Sequence, residues 1–404
     1  MESQSKLGVL FVDDEPAILN LLPRLLAGMR DHWRMSFADR AEKALDLMAT
    51  ERFDVVVSDL NMPGMNGREF LIHVRELHPL SARIMYSSCS DQRSILECIG
   101  VIHQFLPKPC PTELLKSTIQ RAATIPNLLP SPLIREKVSK MERIPSLPSL
   151  YLEVVRQLQS RDTGIEEVAK TVSLDLGMTA LILKIVNSAF YGRPQPVSSI
   201  AEAIGFLGFE TVKFLVLGVG IFSQFESRKL GGISIETLWQ HSTRTAEGAR
   251  FLAKEESASR QVVDEAFAAG MLHDLGKLVL ASNFPEAYEE VGRNAQAKNV
   301  EWIAEERAVF GFDHADVGGY LLNLWGLPPG VVEAVAFHHF PTKSERTSFT
   351  ALTAVHAANV LVQTQRRSLG GIVPPQIDLL YLAKTGRAEA LERWREQLKE
   401  PPKI

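Results

Sequence analysis

The hydrophobic period of this 404-residue chain changes near residue 124, and that change most constrains its fold. Before it, short apolar runs alternate with longer segments of helical period. Five such β/α units predict a parallel sheet covered by helices on both faces, because strands buried on both sides are apolar throughout. The predicted strands are residues 7–12, 33–37, 53–57, 82–86 and 104–106. The predicted helices are residues 16–28, 40–49, 68–77, 92–99 and 112–122. We therefore expect a small doubly wound α/β domain.

The remainder of the chain shows no strand alternation. Five prolines between residues 124 and 148 indicate a linker. From residue 150 onward helical periods dominate, and they predict an all-helical second domain. Residues 211–224, 262–283 and 329–339 are each predicted to form one helix, and residues 377–399 two more.

Composition excludes several classes of protein. Lysine and arginine number 44 against 48 acidic residues, so the chain has no basic excess and a nucleic-acid partner is not expected. Cys89, Cys98 and Cys110 form neither a disulfide framework nor a paired zinc motif, which fits a reducing compartment. The first six residues are polar, and the longest uncharged apolar run, residues 214–222, is half a membrane span. We expect a cytoplasmic protein that is neither secreted nor membrane-spanning.

Three carboxylates follow predicted strands at one edge of the sheet. Asp13 and Asp14 come directly after the first strand, Asp59 comes after the third, and Lys108 follows the fifth. Because the carboxyl ends of parallel strands form the ligand-binding edge of such a sheet, these side chains should converge. A hard divalent cation such as Mg²⁺ would neutralise the excess negative charge. With Mg²⁺ and Lys108 taking up charge, Asp59 can act as a nucleophile toward a phosphoryl donor.

These residues stand in longer motifs: Val12-Asp13-Asp14-Glu15, the stretch from Ser58-Asp59-Leu60-Asn61 to Asn66-Gly67, Ser87, and Phe105-Leu106-Pro107-Lys108-Pro109. Together they resemble the receiver domain of two-component response regulators over residues 7–123, a flavodoxin-like five-stranded fold. The resemblance implies that a histidine kinase phosphorylates Asp59. It also implies that Asp13, Asp14, Asp59 and the carbonyl of Asn61 hold Mg²⁺ and that Lys108 contacts the phosphoryl group.

Two further roles follow from the same resemblance. Ser87 and Phe105 would form the switch pair. The Ser87 hydroxyl would hydrogen-bond to the new phosphoryl oxygens and leave space into which the Phe105 ring turns. Simple core packing is the alternative for Phe105. The Lys108-Pro109 peptide bond is expected to be cis.

Histidines recur in the helical part of the chain. His273-Asp274 offers nitrogen and oxygen ligands to one metal ion, and Lys277 lies one helical turn further on. With His241 upstream, the pair resembles the first half of the HD-type metal-dependent phosphohydrolase pattern. The position that resembles its last aspartate is Asn359, which removes a negative charge from the site.

Three more histidines, His314, His338 and His339, resemble the additional ligands of the HD-GYP branch, which hydrolyses cyclic di-GMP. That branch continues with a glutamate and a Gly-Tyr-Pro loop, whereas Phe340 and residues 341–345 follow here. Cyclic di-GMP hydrolysis is therefore disfavoured. A divalent transition metal could be held by six residues, His241, His273, Asp274, His314, His338 and His339. Alternatively, these histidines could be buried and satisfied by hydrogen bonds alone.

Four segments resemble the HDOD domain, an HD-related helical module of bacterial signalling proteins in which hydrolysis is generally absent or undemonstrated. They are Ile144-Pro145-Ser146-Leu147-Pro148, Val172-Ser173-Leu174-Asp175-Leu176-Gly177, Ile185-Val186-Asn187-Ser188-Ala189-Phe190-Tyr191-Gly192 and Ala203-Ile204-Gly205-Phe206-Leu207-Gly208. We expect a receiver at residues 7–123, a linker at 124–140, an HDOD domain at 141–342 and a C-terminal helical extension at 343–404.

These resemblances imply a response regulator whose largely non-catalytic HDOD output acts through contacts with an unknown downstream protein. A homodimer is a further expectation. The alternatives are a receiver-controlled metal-dependent phosphohydrolase and, third, a transcription regulator. No helix rich in lysine and arginine stands out in favour of the third.

Overall fold

The computed structural model describes two compact units, an N-terminal α/β unit and a helical unit. The described residues are 6–88, 98, 100–123, 144–146, 153–154, 156–158, 163–187, 196–209, 211–212, 222–224, 235–364 and 373–398. The predicted linker therefore lies outside the described residues, as do Cys89 and all of the predicted 92–99 helix except Cys98.

The α/β unit contains a five-stranded parallel sheet in the order β2-β1-β3-β4-β5. Its strands are β1 (Leu7–Val12), β2 (Trp33–Ala38), β3 (Val55–Ser58), β4 (Ala82–Ser87) and β5 (Gln104–Pro107). Its helices are α1 (Pro16–Leu25), α2 (Ala41–Thr50), α3 (Gly67–Leu77) and α4 (Thr112–Ala123), with a 3₁₀ turn at Ala27–Met29. The doubly wound α/β prediction is confirmed.

The central strands are buried because both faces of the sheet are covered. On one face Leu10, Val56 and Met85 belong to a single core cluster that Phe70 and Val74 of α3 complete. These side chains are almost fully buried, and each contributes roughly 1.5–3 kcal/mol of transfer free energy. The rigid strands fix the positions of the residues that follow them.

The helical unit is built from thirteen described helices and one short ladder. The helices are α5 (Ile165–Ser173), α6 (Leu176–Val186), α7 (Ile200–Leu207), α8 (Ile235–Glu255), α9 (Arg260–Leu272), α10 (Leu275–Asn283), α11 (Pro285–Lys298), α12 (Trp302–Phe310), α13 (His314–Leu324), α14 (Pro329–Phe337), α15 (Ala351–Thr364), α16 (Leu379–Lys384) and α17 (Ala390–Gln397). The ladder pairs β6 (Ile144–Ser146) with β7 (Phe222–Gln224) in parallel. A helical second domain was predicted correctly.

Three helix predictions need correction. Residues 222–224 form a strand, so the predicted 211–224 helix is wrong at its end, where three residues are too few to show strand alternation. The predicted 262–283 helix is broken at His273 and Asp274, between α9 and α10. The predicted 329–339 helix ends at Phe337, before the histidine pair. The last two breaks place candidate ligands at helix ends.

The predicted C-terminal helices are present as α16 and α17, and they pack on the helical unit. Trp394 is fully buried and its indole N–H donates to Glu256 Oε1 at 3.1 Å. Tyr381 is also fully buried, and its hydroxyl lies 2.9 Å from Thr353 Oγ1 on α15. The described part of the chain includes no helix long and apolar enough to cross a membrane.

Candidate functional site

The ladder hydrogen bonds of the sheet position the acidic residues. Each residue that follows a strand donates its backbone N–H to the neighbouring strand. Asp13 donates to the Ala38 carbonyl at 3.1 Å, Asp59 to Val12 at 2.9 Å and Lys108 to Ser87 at 2.9 Å. The three side chains consequently emerge at the same edge of the sheet, as predicted.

A buried ammonium group joins the two inner carboxylates. Lys108 Nζ lies 2.7 Å from Asp13 Oδ2 and 3.4 Å from Asp59 Oδ1, and all three side chains are at most 5% exposed. Burial raises the pKa of Asp13, and Lys108 opposes that rise. The Lys108–Pro109 peptide bond is cis, as expected.

The donor set at this edge fits a hard divalent cation. Asp13, Asp14 and Asp59 each offer an oxygen within 4.8 Å of the others. Among the described residues, the buried Asp59 Oδ1 has no hydrogen-bond partner. Three carboxylates and one lysine leave an excess of two negative charges, which one Mg²⁺ would balance. Asn61, two residues after Asp59 in the chain, is exposed.

The expected switch residues are both buried, at 1% exposure for Ser87 and for Phe105. Ser87 ends β4, and its carbonyl accepts the Lys108 N–H. Phe105 lies in the core cluster with its ring turned inward. This position agrees with a switch residue and equally with the alternative, simple core packing. Tyr86 places its ring 5.7 Å from Lys108 Nζ, and burial raises the pKa of Tyr86 to about 12.

Gly67 supports the acceptor loop and was not singled out from the sequence as a site residue. Asn66 caps α3 by accepting the Glu69 N–H at 2.9 Å, and Gly67 donates its own N–H to Leu60 at 2.8 Å. A Cβ at Gly67 would lie 1.8 Å from the carbonyl oxygen of Asp59. The helix can begin this close to Asp59 only because residue 67 has no side chain.

A second cluster lies in the helical unit and gathers all six predicted residues. One triplet is His241 of α8 with His273 and Asp274 at the break between α9 and α10. The other is His314, which begins α13, with His338 and His339 after α14. Asp274 joins them, because its Oδ2 lies 3.5 Å from His273 Nε2 and its Oδ1 lies 3.2 Å from His314 Nε2.

Three of these histidines have their second nitrogen committed to a neighbour. Nδ1 of His273 lies 2.7 Å from the Gly270 carbonyl, Nδ1 of His338 lies 2.8 Å from the Val335 carbonyl, and Nδ1 of His314 lies 2.6 Å from Glu306 Oε2. Carbonyl and carboxylate oxygens accept, so each Nδ1 donates, and the neutral rings of His273 and His338 keep their lone pair on Nε2. Metal-ligating histidines typically show this arrangement.

The position of the missing aspartate is occupied by an amide network. Asn359 Oδ1 on α15 lies 2.9 Å from His241 Nε2 and accepts from Gln363 Nε2 at 2.9 Å. Gln363 Nε2 is also 3.2 Å from His241 Nε2. Gln363 lies one helical turn after Asn359, a spacing that could have revealed it in the sequence.

The pKa values of two buried histidines in the cluster shift in opposite directions. Burial, reinforced by His273, lowers the pKa of His241 to about 3. Burial acts to lower the pKa of His314, but the Glu306 carboxylate and the hydrogen bond with Asp274 together outweigh it and raise that pKa to about 9. Lys277 donates to Asp274 Oδ2 at 2.9 Å.

Two supporting groups were missed by sequence reasoning. Glu306, fully buried on α12, accepts from the Tyr288 hydroxyl at 2.5 Å as well as from His314. Gly276 follows the His-Asp pair, and a Cβ there would lie 1.9 Å from the carbonyl oxygen of His314. Glu306 precedes His314 by eight residues without any local pattern, so no sequence signal marks it.

Comparison with known proteins assigns both units. The family model for the response regulator receiver domain matches residues 9–120, and the model for the HDOD domain matches residues 144–341. The chain is 26% identical over 228 residues to an uncharacterized protein of Treponema pallidum (strain Nichols), covering 55% of this chain and 43% of that protein.

Two further similarities involve named response regulators. Over 121 residues the chain is 38% identical to the two-component response regulator ARR2 of Arabidopsis thaliana, covering 29% of this chain and 18% of that protein. The crystal structure of the MmoQ response regulator from Methylococcus capsulatus str. Bath is 24% identical with a TM-score of 0.49, covering 63% of this chain and 98% of that one. The chain thus spans less than half the length of the two curated relatives. The two family matches, the parallel five-stranded sheet and the helical unit together identify the chain as a response regulator receiver domain followed by an HDOD domain.

Proposed function

We propose that this protein is a two-component response regulator in which a histidine kinase phosphorylates Asp59. The observation that carries the proposal is the buried Asp59 carboxylate, which has an unpartnered oxygen 3.4 Å from the Lys108 ammonium. A carboxylate that is paired with a fixed cation, and whose Oδ1 accepts no hydrogen bond among the described residues, is poised to react with an electrophilic phosphorus.

The transfer needs few groups. An oxygen of Asp59 forms a bond to phosphorus as the bond from phosphorus to the imidazole nitrogen of the kinase breaks, and the electron pair of that bond leaves with the imidazole. Lys108 stabilises the charge on the phosphoryl oxygens, and its attachment to Asp13 holds it in place. Asp13, Asp14 and Asp59 would hold Mg²⁺, which when bound supplies a Lewis acid for those same oxygens.

The Asp59→Asn variant tests this proposal. Incubation with acetyl phosphate and Mg²⁺ should add one phosphoryl group to the native chain, seen by intact mass spectrometry, and none to the variant. Asp46→Asn makes the same chemical change at an exposed position of α2 and should label like the native chain. Labelling of Asp59→Asn at the native level would contradict the proposal.

The output is proposed to be a protein contact without catalysis. Asn359 supports this choice, because the site that resembles an HD phosphohydrolase lacks its last carboxylate and places a neutral amide against His241. Pull-down with beryllofluoride-treated native protein and with Asp59→Asn should capture a downstream protein in only one of the two states. Identical partners in both states would count against a contact controlled by phosphorylation. We also propose that the protein is cytoplasmic and forms a homodimer.

The six-residue cluster favours one second candidate, a receiver-controlled metal-dependent phosphohydrolase. Its metal ligands would come from His241, His273, Asp274 and His314, with Lys277 available to phosphate. Hydrolysis of nucleotides or cyclic nucleotides by the native chain, abolished in His273→Ala, would favour this candidate over the contact-based output.

A further inference from the structure

We propose that Ser58 is a positioning residue for the phosphoryl transfer, and that its hydroxyl fixes the orientation from which the Asp59 carboxylate reacts. The inference rests on the proposed function of Asp59 and deepens it. Ser58 contacts the backbone carbonyl of Asp59, so it would act on the carboxylate through the chain.

The residue type at position 58 differs from its surroundings. β3 consists of Val55-Val56-Val57-Ser58, and all four residues are buried. Side chains alternate along a strand, so Ser58 shares the face of Val56, which belongs to the apolar core cluster. A fully buried hydroxyl on such a face costs free energy unless it makes a hydrogen bond. Ser58 therefore has a polar role that a fourth valine would not fill.

The partner of this hydroxyl is the backbone of the next residue. Ser58 Oγ donates to the carbonyl oxygen of Asp59 at 2.8 Å. β3 ends at Ser58, so this carbonyl lies beyond the strand. Among the described residues it receives no backbone N–H, and the Ser58 hydroxyl takes the place of a ladder donor. Removing the hydroxyl would leave the carbonyl oxygen without that hydrogen bond.

The backbone of Asp59 is fixed on both sides of its Cα. After the Cα, Ser58 donates to the carbonyl oxygen, and Gly67 approaches so closely that a Cβ there would lie 1.8 Å from the same oxygen. Before the Cα, Asp59 donates its own N–H to the Val12 carbonyl at 2.9 Å. A residue has only two soft backbone dihedral angles, so fixing both flanking peptide groups fixes the direction in which the Asp59 side chain leaves the backbone.

This direction matters because the carboxylate must stay beside its cation. Asp59 Oδ1 lies 3.4 Å from Lys108 Nζ, and both side chains are 5% exposed. If the peptide group after Asp59 is free to turn, the Cα shifts and the carboxylate moves relative to the ammonium. Misplacing a reacting group by about 1 Å costs up to about 100-fold in rate, so losing one backbone hydrogen bond should cost about tenfold.

Two variants of the same branched shape test the inference. Ser58→Thr keeps the hydroxyl and Ser58→Val lacks it, so any crowding in the core is common to both. The initial rate of labelling by acetyl phosphate and Mg²⁺ is measured on the full-length chain by intact mass spectrometry. Each rate is divided by the fraction of folded receiver, which hydrogen–deuterium exchange of β1 and β3 peptides reports. A merely structural role for Ser58 would lower that fraction and leave the rate per folded chain unchanged.

The threonine variant should label within about twofold of the native rate, and the valine variant about tenfold more slowly. Ser58→Ala removes the hydroxyl without adding atoms and should also label about tenfold more slowly, so it decides the question if the branched variants do not fold. Equal rates in Ser58→Thr and Ser58→Val, or a native rate in Ser58→Ala, would overturn the inference while Asp59 remained the phosphoacceptor. An unlabelled native chain would overturn the proposed function, and this inference with it.

Discussion

Replacing Gly67 by alanine should lower the free energy of unfolding of the receiver domain by about 2–3 kcal/mol and slow phosphorylation of Asp59. The new methyl group would lie 1.8 Å from the Asp59 carbonyl oxygen and 2.8 Å from its carbonyl carbon. These are backbone atoms in a loop that hydrogen bonds hold at both ends, so rotation of a side chain cannot relieve the overlap. Either α3 or the backbone of Asp59 must move.

Hydrogen–deuterium exchange of peptides from β1 and β3, together with the rate of labelling by acetyl phosphate, would measure both effects. Gly28→Ala is the matched control, because a Cβ there meets no atom within 4 Å. Its effect should stay within about 0.5 kcal/mol. Equal protection and equal labelling rates in the two variants would show that the approach of Gly67 to Asp59 does not position the acceptor.

The fold of the receiver domain could be predicted well because short stretches of sequence specify each of its strands. An apolar run such as Leu7–Val12 specifies a strand buried on both faces, and the residue after it must emerge at the ligand-binding edge. This reasoning placed Asp13, Asp59 and Lys108 together without any knowledge of tertiary packing. Gly67 escaped notice because its importance lies in a contact with the backbone of Asp59, eight residues earlier.

The histidine cluster shows the limit of the same approach. The residue types and the chain order pointed to a shared site. The helical period of α9 continues across His273, however, and hides the helix break that places Asp274 in contact with both triplets. The prediction of a single helix over residues 262–283 failed for that reason. The hydrogen bonds made by Lys277, Asn359 and Gln363 together decide which polar atoms of the cluster already have a partner. No pattern along the chain contains that information.

Truncating Glu306 to alanine should produce the second large effect, a loss of about 3–5 kcal/mol in the stability of the helical unit. The fully buried carboxylate accepts hydrogen bonds from the Tyr288 hydroxyl, from His314 Nδ1 at 2.6 Å and from the His314 N–H at 3.0 Å. Alanine leaves all three donors without this acceptor. Urea denaturation followed by far-ultraviolet circular dichroism would measure the loss, since most described helices belong to this unit.

Two further variants separate this network from a general effect of removing charge. Glu289→Ala, on the exposed face of α11, removes a carboxylate that forms an ion pair with Arg293 at 3.3 Å, and it should change stability by less than about 0.5 kcal/mol. Glu306→Gln keeps one acceptor oxygen and should recover part of the loss. If Glu306→Ala proved as stable as Glu289→Ala, the Glu306 carboxylate would not hold His314, and the contact of His314 Nε2 with Asp274 Oδ1 at 3.2 Å would have to orient the ring instead.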